Sequence, residues 1–375
     1  MMKELLLIPG PTPVSDDVLY ALSQPVISHT SVEFANLLKE ILVYVKELFG
    51  VKNGFPFVIT GSGTLGMEIA LTNILKDNDN LLVLSHGYFG DRFEELAKHL
   101  GIEVNKIKPN PGEHVDLELF RKTLKEKHYT AVTLTHVDTS TGVLADVESI
   151  SKIIQEVSPE TLFVVDGVCA TGGVKEEFDN WKIDVILTGS QKALATPPGL
   201  TLLAFSERAI EKRKSIKPRT YYGDILKWMV VMEDGTKYFA TPSVNLFFAL
   251  HQSLKGIFDI GLENYFKKHE DLARRVRNAM SEIGLTLVAK RPAPTLSVFL
   301  YPDGVEDKTF RGKLKEKGVI VANTLAELYG KGFRIGHMGS VTKDELIVAV
   351  SKIAETFEEL GVKVNKGNVL NAFLS

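Results

Sequence analysis

Lys192 stands in the run Ser190-Gln191-Lys192-Ala193-Leu194, with Ala195, Pro197 and Pro198 behind it. An amine in such apolar company sheds hydration, is held neutral and becomes a nucleophile toward carbonyl carbon, the chemistry of a Schiff-base lysine. A loop lysine facing solvent is the plainer alternative. Asp166 ends the apolar run Leu162-Phe163-Val164-Val165. A carboxylate buried there needs a cation or a hydrogen-bond donor, and a protonated ring nitrogen is such a donor. Held protonated, that ring becomes an electron sink for a carbanion. The alternative is that Asp166 caps a following helix, the role expected of Asp146 and Asp184.

Thr60-Gly61-Ser62-Gly63-Thr64 follows a strand-like run and opens a helical pattern at Leu65, Met67, Ile69, Leu71 and Leu75. Amides at a helix N-terminus bind phosphate. The spacing fits neither the dinucleotide fingerprint nor the P-loop, because no Gly-Lys-Ser/Thr follows; a plain glycine-rich turn is the other reading. Arg334, in Phe333-Arg334-Ile335-Gly336, calls for an anion among apolar neighbours. A substrate carboxylate would pair with it in bidentate fashion, as would a structural acidic residue.

These residues need elements to position them. Between about residues 55 and 205, short apolar runs alternate with amphipathic stretches: Phe57–Thr60, Leu81–Leu84, Ala131–Leu134, Leu162–Val165 and Val185–Leu187 read as strands. Strand and helix in alternation predict an α/β domain with a mostly parallel sheet. Polar clusters follow several of these strands, and ligands of open parallel sheets sit at such carboxyl ends. Ser85-His86-Gly87 and Thr188-Gly189-Ser190-Gln191-Lys192 are two more of them. One site assembled from four loops is expected.

Beyond Pro242 the pattern shifts to long helices, 244–258 and 262–283. The second carries Lys267, Lys268, Glu270, Asp271, Arg274, Arg275 and Arg277, read as a solvated face. Strands at 285–289, 296–300, 319–322 and 333–336, with helices at 307–317 and 342–360, predict a smaller α+β unit from about residue 260. The last dozen residues read as a loosely packed tail.

Composition narrows the function classes. At 375 residues, 44% hydrophobic and 24% charged, the chain is long enough for two domains. A net charge of −3 without blocks of one sign points away from nucleic acid and anionic membranes, toward small-molecule partners. Cys169 is the single cysteine, which excludes an intrachain disulfide and a thiolate cluster and suits a reducing cytoplasm. The apolar run Leu5–Ile8 stops at Pro9-Gly10-Pro11, too short for a signal peptide or membrane span.

With these residues together, the chain resembles the class V, fold type I aminotransferases that use pyridoxal phosphate, in particular the alanine–glyoxylate and serine–pyruvate group. The likeness runs through Pro9-Gly10-Pro11-Thr12, Ser62-Gly63-Thr64, His86 to Arg92, Ser140-Thr141-Gly142-Val143, Val165 to Val168, Gly189 to Ala193, Pro197-Pro198-Gly199 and Arg334-Ile335-Gly336. It implies an α/β PLP-transferase fold with a seven-stranded, mostly parallel sheet and a smaller C-terminal α+β domain. The division implied is an N-terminal segment 1–20 near the site mouth, a large domain 21–259 and a small domain 260–375.

Carried over residue by residue, the resemblance makes Lys192 the Schiff-base lysine and acid–base catalyst, and Asp166 the partner of the pyridine nitrogen. It implies that Ser62, Gly63, Thr64 and Gln191 hold the phosphate, Thr139 faces the ring hydroxyl, and Val168 and Phe89 cover the two ring faces. Arg334 and Gly10 fall to the substrate. Tyr238 and Thr241 would reach the phosphate site of a neighbouring subunit, so a homodimer is implied. Phe89 stands where the family often has tryptophan, Thr64 where animal relatives carry histidine, and Thr139 where serine is usual. The function implied is transfer of an amino group from serine or alanine to pyruvate or glyoxylate. Alternatives are a lyase, a phosphonate aminotransferase or a non-catalytic binding protein of this fold. Desulfuration needs a mobile catalytic cysteine, whereas Cys169 reads as a packing residue.

Overall fold

The computed structural model describes residues 4–375; Met1 to Lys3, part of the expected 1–20 segment, lie outside the described residues. Thirteen strands occur in them: β1 (Leu5–Leu6), β2 (Phe55–Thr60), β3 (Asn80–Leu84), β4 (Glu103–Ile107), β5 (Ala131–Thr135), β6 (Leu162–Asp166), β7 (Val185–Gly189), β8 (Leu200–Phe205), β9 (Thr286–Leu287), β10 (Leu296–Leu300), β11 (Val319–Ile320), β12 (Ala322–Asn323) and β13 (Gly332–Gly336). The helices preceding residue 243 are α1 (Asp16–Leu22), α2 (Val32–Phe49), α3 (Gly63–Ile74), α4 (Tyr88–His99), α5 (Leu117–Glu126), α6 (Val147–Val157), α7 (Glu207–Lys214) and α8 (Ile225–Glu233). After it come α9 (Val244–Ile260), α10 (Leu262–Glu282), α11 (Asp307–Glu316), α12 (Lys343–Glu359) and α13 (Lys366–Leu374).

The large sheet has seven strands in the order β2-β8-β7-β6-β5-β3-β4. All pairings are parallel except those of β8, which runs against both β2 and β7. β5, β6 and β7 are buried along their whole length, as expected where helices cover both faces. β4 and β8 are absent from the strands read in the sequence. β4 is an edge strand whose Glu103, Asn105 and Lys106 suit solvent. One apolar core from Phe34 to Tyr265 surrounds this sheet.

A second core gathers Leu7 with Leu272 through Phe373 around the antiparallel sheet β12-β13-β10-β9. The single strand read at 319–322 is two. β11 pairs with β1, and β12 pairs with β13. The N-terminal segment is thereby joined to the C-terminal part of the chain in a separate two-stranded sheet.

Three further expectations differ from the structure. The last dozen residues form α13, not a loose tail. Val369 and Phe373, four apart on one face, are fully buried, each contributing about 1.5–3 kcal/mol. Asn365 caps the helix and Arg275 binds the carbonyls of Phe373 and Leu374 at 3.0 and 2.8 Å. The charged face of α10 is accordingly not simply solvated: Arg277 lies under β10, donating to Ser297 Oγ at 3.0 Å, and Lys268 donates to the Gly339 carbonyl at 2.7 Å. Asp146 does cap α6, but Asp184 caps nothing; it precedes β7 and pairs with Arg208. Among the described residues no helix is long and apolar enough to cross a membrane.

Candidate active site

The carboxyl ends of β2, β3, β5, β6 and β7 open onto one cavity of about 200 Å³, so five loops build it where four were expected. Ser62, Gly63, Thr64, Phe89, Thr139, Asp166, Val168, Gln191 and Lys192 all line it, so nine of the expected residues meet in one place. Met67, Arg92, Val137 and Cys169 complete the lining and were missed as site residues. Arg92 was open to detection: it lies three positions after Phe89 on the same helix, hence on the same face.

The glycine-rich turn becomes the N-terminus of α3. Ser62 is the N-cap, its Oγ accepting from the Leu65 amide at 3.4 Å. That leaves the first helical amides, at Gly63 and Thr64, without a carbonyl inside the helix. A Cβ at Gly63 would lie 2.9 Å from Val168 Cγ2, which is why the turn approaches β6 so closely.

The N-cap of α4 is Gly87, which has no side chain to cap it. Asp138, from the loop after β5, does the work remotely: its Oδ2 accepts from the Phe89 and Gly90 amides at 3.1 and 3.0 Å. Its Oδ1 accepts from the Ser140 amide and hydroxyl at 2.9 and 2.6 Å. The loop carrying Thr139 and the helix carrying Phe89 are thereby locked together. No local sequence signal marks this, because the cap and the capped helix are 49 residues apart.

Asp166 is 2% exposed and accepts one hydrogen bond, from the Val168 amide at 2.8 Å. Burial pushes its carboxyl up to about 7, with the carboxylates of Asp138 and Glu176 adding to the rise. Lys192 is 8% exposed, and burial lowers its amine below the usual lysine value. Its Nζ donates to the Pro9 carbonyl. Gly10, with φ of +120°, lies so near that a Cβ there would meet Lys192 Nζ at 2.6 Å. The carbonyls that follow are each captured by a different element: Lys192 by Thr12 Oγ1 at 2.8 Å, Ala193 by Tyr265 OH at 2.7 Å, and Leu194 by Ser253 Oγ. The lysine is pre-positioned by its backbone while its amine stays in a dry setting.

Arg334 is outside the lining, joined to it through the Thr139 carbonyl at 3.3 Å; its Nε donates to the Asn323 carbonyl at 2.6 Å. Burial lowers its guanidinium to about 10. Tyr238 and Thr241 do not join this cavity. Tyr238 packs edge-on to Phe34 and Trp228, its hydroxyl buried without a partner, and Thr241 is exposed. Cys169 is buried with Ala170, Ala193 and Leu296.

The arrangement fits pyridoxal phosphate. A buried amine is available to an aldehyde, an under-bonded buried carboxylate to a ring N–H, and free helix amides to a phosphate. Gln191 Oε1, buried in the same wall without a hydrogen-bond partner, marks a polar group left for a ligand.

The comparisons with known proteins agree on the family. The alanine–glyoxylate aminotransferase 1 of Saccharomyces cerevisiae is 38% identical over 90% of this chain and 92% of its own. An uncharacterized aminotransferase of Methanocaldococcus jannaschii is 37% identical over 98% and 96%. Among solved structures, the ureidoglycine–glyoxylate aminotransferase of Bacillus subtilis superposes with a TM-score of 0.94 at 25% identity, covering 100% of this chain and 98% of that one. Residues 16–324 match the family described as Aminotransferase class-V, and the chain belongs to that family, whose cofactor is pyridoxal phosphate.

Proposed function

We propose that this aminotransferase moves the amino group of a small L-amino acid, serine or alanine, to a small 2-oxo acid, glyoxylate or pyruvate. The observation that carries the reading is the pairing of two buried, under-compensated groups in one cavity, the Lys192 amine and the Asp166 carboxylate. Two of the relatives described above act on glyoxylate by name, which supports that acceptor.

Bound in the cavity, pyridoxal phosphate supplies the electron sink that renders a substrate α-proton removable. Lys192 would hold its aldehyde carbon, Asp166 its ring nitrogen, and Ser62, Gly63, Thr64 and Gln191 its phosphate. Thr139 would meet the ring hydroxyl, with Val168 and Phe89 on the ring faces. Lys192 Nζ, once free, would take the α-proton; the burial that lowers its proton affinity suits it as a base. Arg334 offers a bidentate fork to the substrate carboxylate, and Gly10, whose missing side chain lets its backbone lie against Lys192 Nζ, would border the incoming amino acid. The orphan hydroxyl of Tyr238 and the exposed Thr241 support a homodimer in which both reach the partner's phosphate site. The two cores support a division near residue 260, and the single buried cysteine suits the cytoplasm.

The test is the visible spectrum of the purified protein during addition of L-serine or L-alanine, then glyoxylate or pyruvate. The expected result is loss of the cofactor's visible band with one amino acid and its return with one oxo acid. A band indifferent to every such pair would overturn the reading.

A further inference from the structure

The cavity holds a cation that none of the roles above uses. Arg92 lies on α4, one turn beyond Phe89, with its guanidinium carbon 5.1 Å from the ring centroids of both Tyr88 and Phe89. Its Nη1 donates to Thr64 Oγ1 at 3.2 Å. The neighbouring carboxylate, Asp91, is taken instead by Lys106 and Lys108 at 3.0 and 2.9 Å, and Arg92 forms no ion pair among the described residues. A guanidinium has five N–H donors and a permanent charge; one bond to a neutral hydroxyl leaves that charge unmatched. The hydroxyl it touches belongs to the second residue of α3, so the guanidinium stands beside the amide-rich end of that helix, where the helix dipole also favours an anion.

We propose that Arg92 is an anion-binding residue of the cofactor site, pairing with the phosphate of pyridoxal phosphate alongside the Gly63 and Thr64 amides. The inference rests on the cavity being the cofactor site. Stacking on Phe89 holds the guanidinium plane, so the aromatic wall and the phosphate clamp move as one piece of α4. A planar fork matches phosphate geometry in a way an ammonium does not.

The experiment compares two probes on the full-length protein after removal of its cofactor: pyridoxal phosphate, and pyridoxal, which has the same ring and aldehyde without the phosphate. In Arg92→Gln the Kd for pyridoxal phosphate is expected to rise about 10- to 100-fold, the range of a charge-assisted contact. Pyridoxal should bind within about threefold of wild type, and Arg92→Lys should recover part of the loss. Equal weakening of both probes would overturn the proposal, leaving Arg92 as a support for Phe89. Unchanged cofactor affinity with a raised KM for dicarboxylic amino acids would also overturn it and assign the guanidinium to a substrate carboxylate. If Arg92→Gln fails to fold, the ratio of the two affinities in Arg92→Lys decides, because a purely supporting role leaves that ratio at the wild-type value. Failure of the underlying site reading has its own signature: a Lys192→Ala protein that keeps the visible band of the wild type.

Discussion

Asp184 and Asp166 are both buried carboxylates on neighbouring strands of one sheet, the first before β7 and the second at the end of β6. Asp184 accepts from the Phe163 amide at 2.9 Å, from Ser206 Oγ at 2.7 Å, and from Arg208 through Nε at 3.0 Å and Nη2 at 2.6 Å. Asp166 accepts from one amide. Both ends of the sheet are hollowed. The hollow beside Asp184 is the larger, about 280 Å³ against about 200 Å³. Volume therefore does not distinguish the site; unfinished electrostatics does. Where a buried charge is fully met by the protein it fastens β6, β7 and α7 together, and where it is left wanting it reserves a position for a ligand.

Substitutions can break this contrast. The largest effect is expected at Lys192: Lys192→Ala should fold, lose the cofactor's visible band on denaturant-free gel filtration, and fall about 10³- to 10⁴-fold in kcat. Asp166→Asn should cost about 10²- to 10³-fold in kcat with little loss of melting temperature. Asp184→Asn should do the reverse, losing about 1–3 kcal/mol in denaturant titration, a modest figure because Arg208 is 44% exposed, with kcat unchanged. A common response of both carboxylates would dissolve the contrast.

Acidity sharpens it. Because burial raises Asp166 from 3.8 to about 7, the folded cofactor-free protein binds a proton there that the unfolded chain has released. Its stability should fall relative to Asp166→Asn as pH rises from about 4 to about 7, by a few kcal/mol at most. Calorimetry of the two cofactor-free proteins across that range measures this, and parallel curves would contradict it. Arg334→Ala should raise the KM for the amino acid about 10- to 100-fold, with the Kd for pyridoxal phosphate held steady; steady-state kinetics and cofactor titration separate the two. The smallest effect belongs to the finished end: Ser206→Ala removes the α7 cap and one donor to Asp184, for about 1 kcal/mol in denaturant titration and no kinetic change.

The strands rich in β-branched residues were legible because a fully buried parallel strand has an apolar run as its only requirement. β4 was not, since an edge strand may be as polar as Glu103 and Lys106 make it. Nor was α13, a short segment whose two buried anchors, Val369 and Phe373, gain their face only by packing against α10 and α12. The loops at the strand ends were legible from their polar residues and their place in the alternation. The part played by Asp138 is hidden by the opposite circumstance, since it comes from the Phe89 amide brought near by the sheet order; for Arg92 the helix face is legible and only its contact with Thr64 is not.

The pairing of β1 with β11 has a consequence for synthesis. Leu5 and Leu6 leave the ribosome long before Val319 and Ile320, the residues beside which they come to rest. A nascent chain can complete the seven-stranded sheet while Pro9 and Thr12, the partners of Lys192, still have no strand to hold them in place. The lysine's surroundings close only after β11 has emerged, through one of the longest loop closures in the molecule. A chain arrested before that point would carry a nearly whole large core and an amine still open to water, so readiness for chemistry arrives as one of the last events of folding.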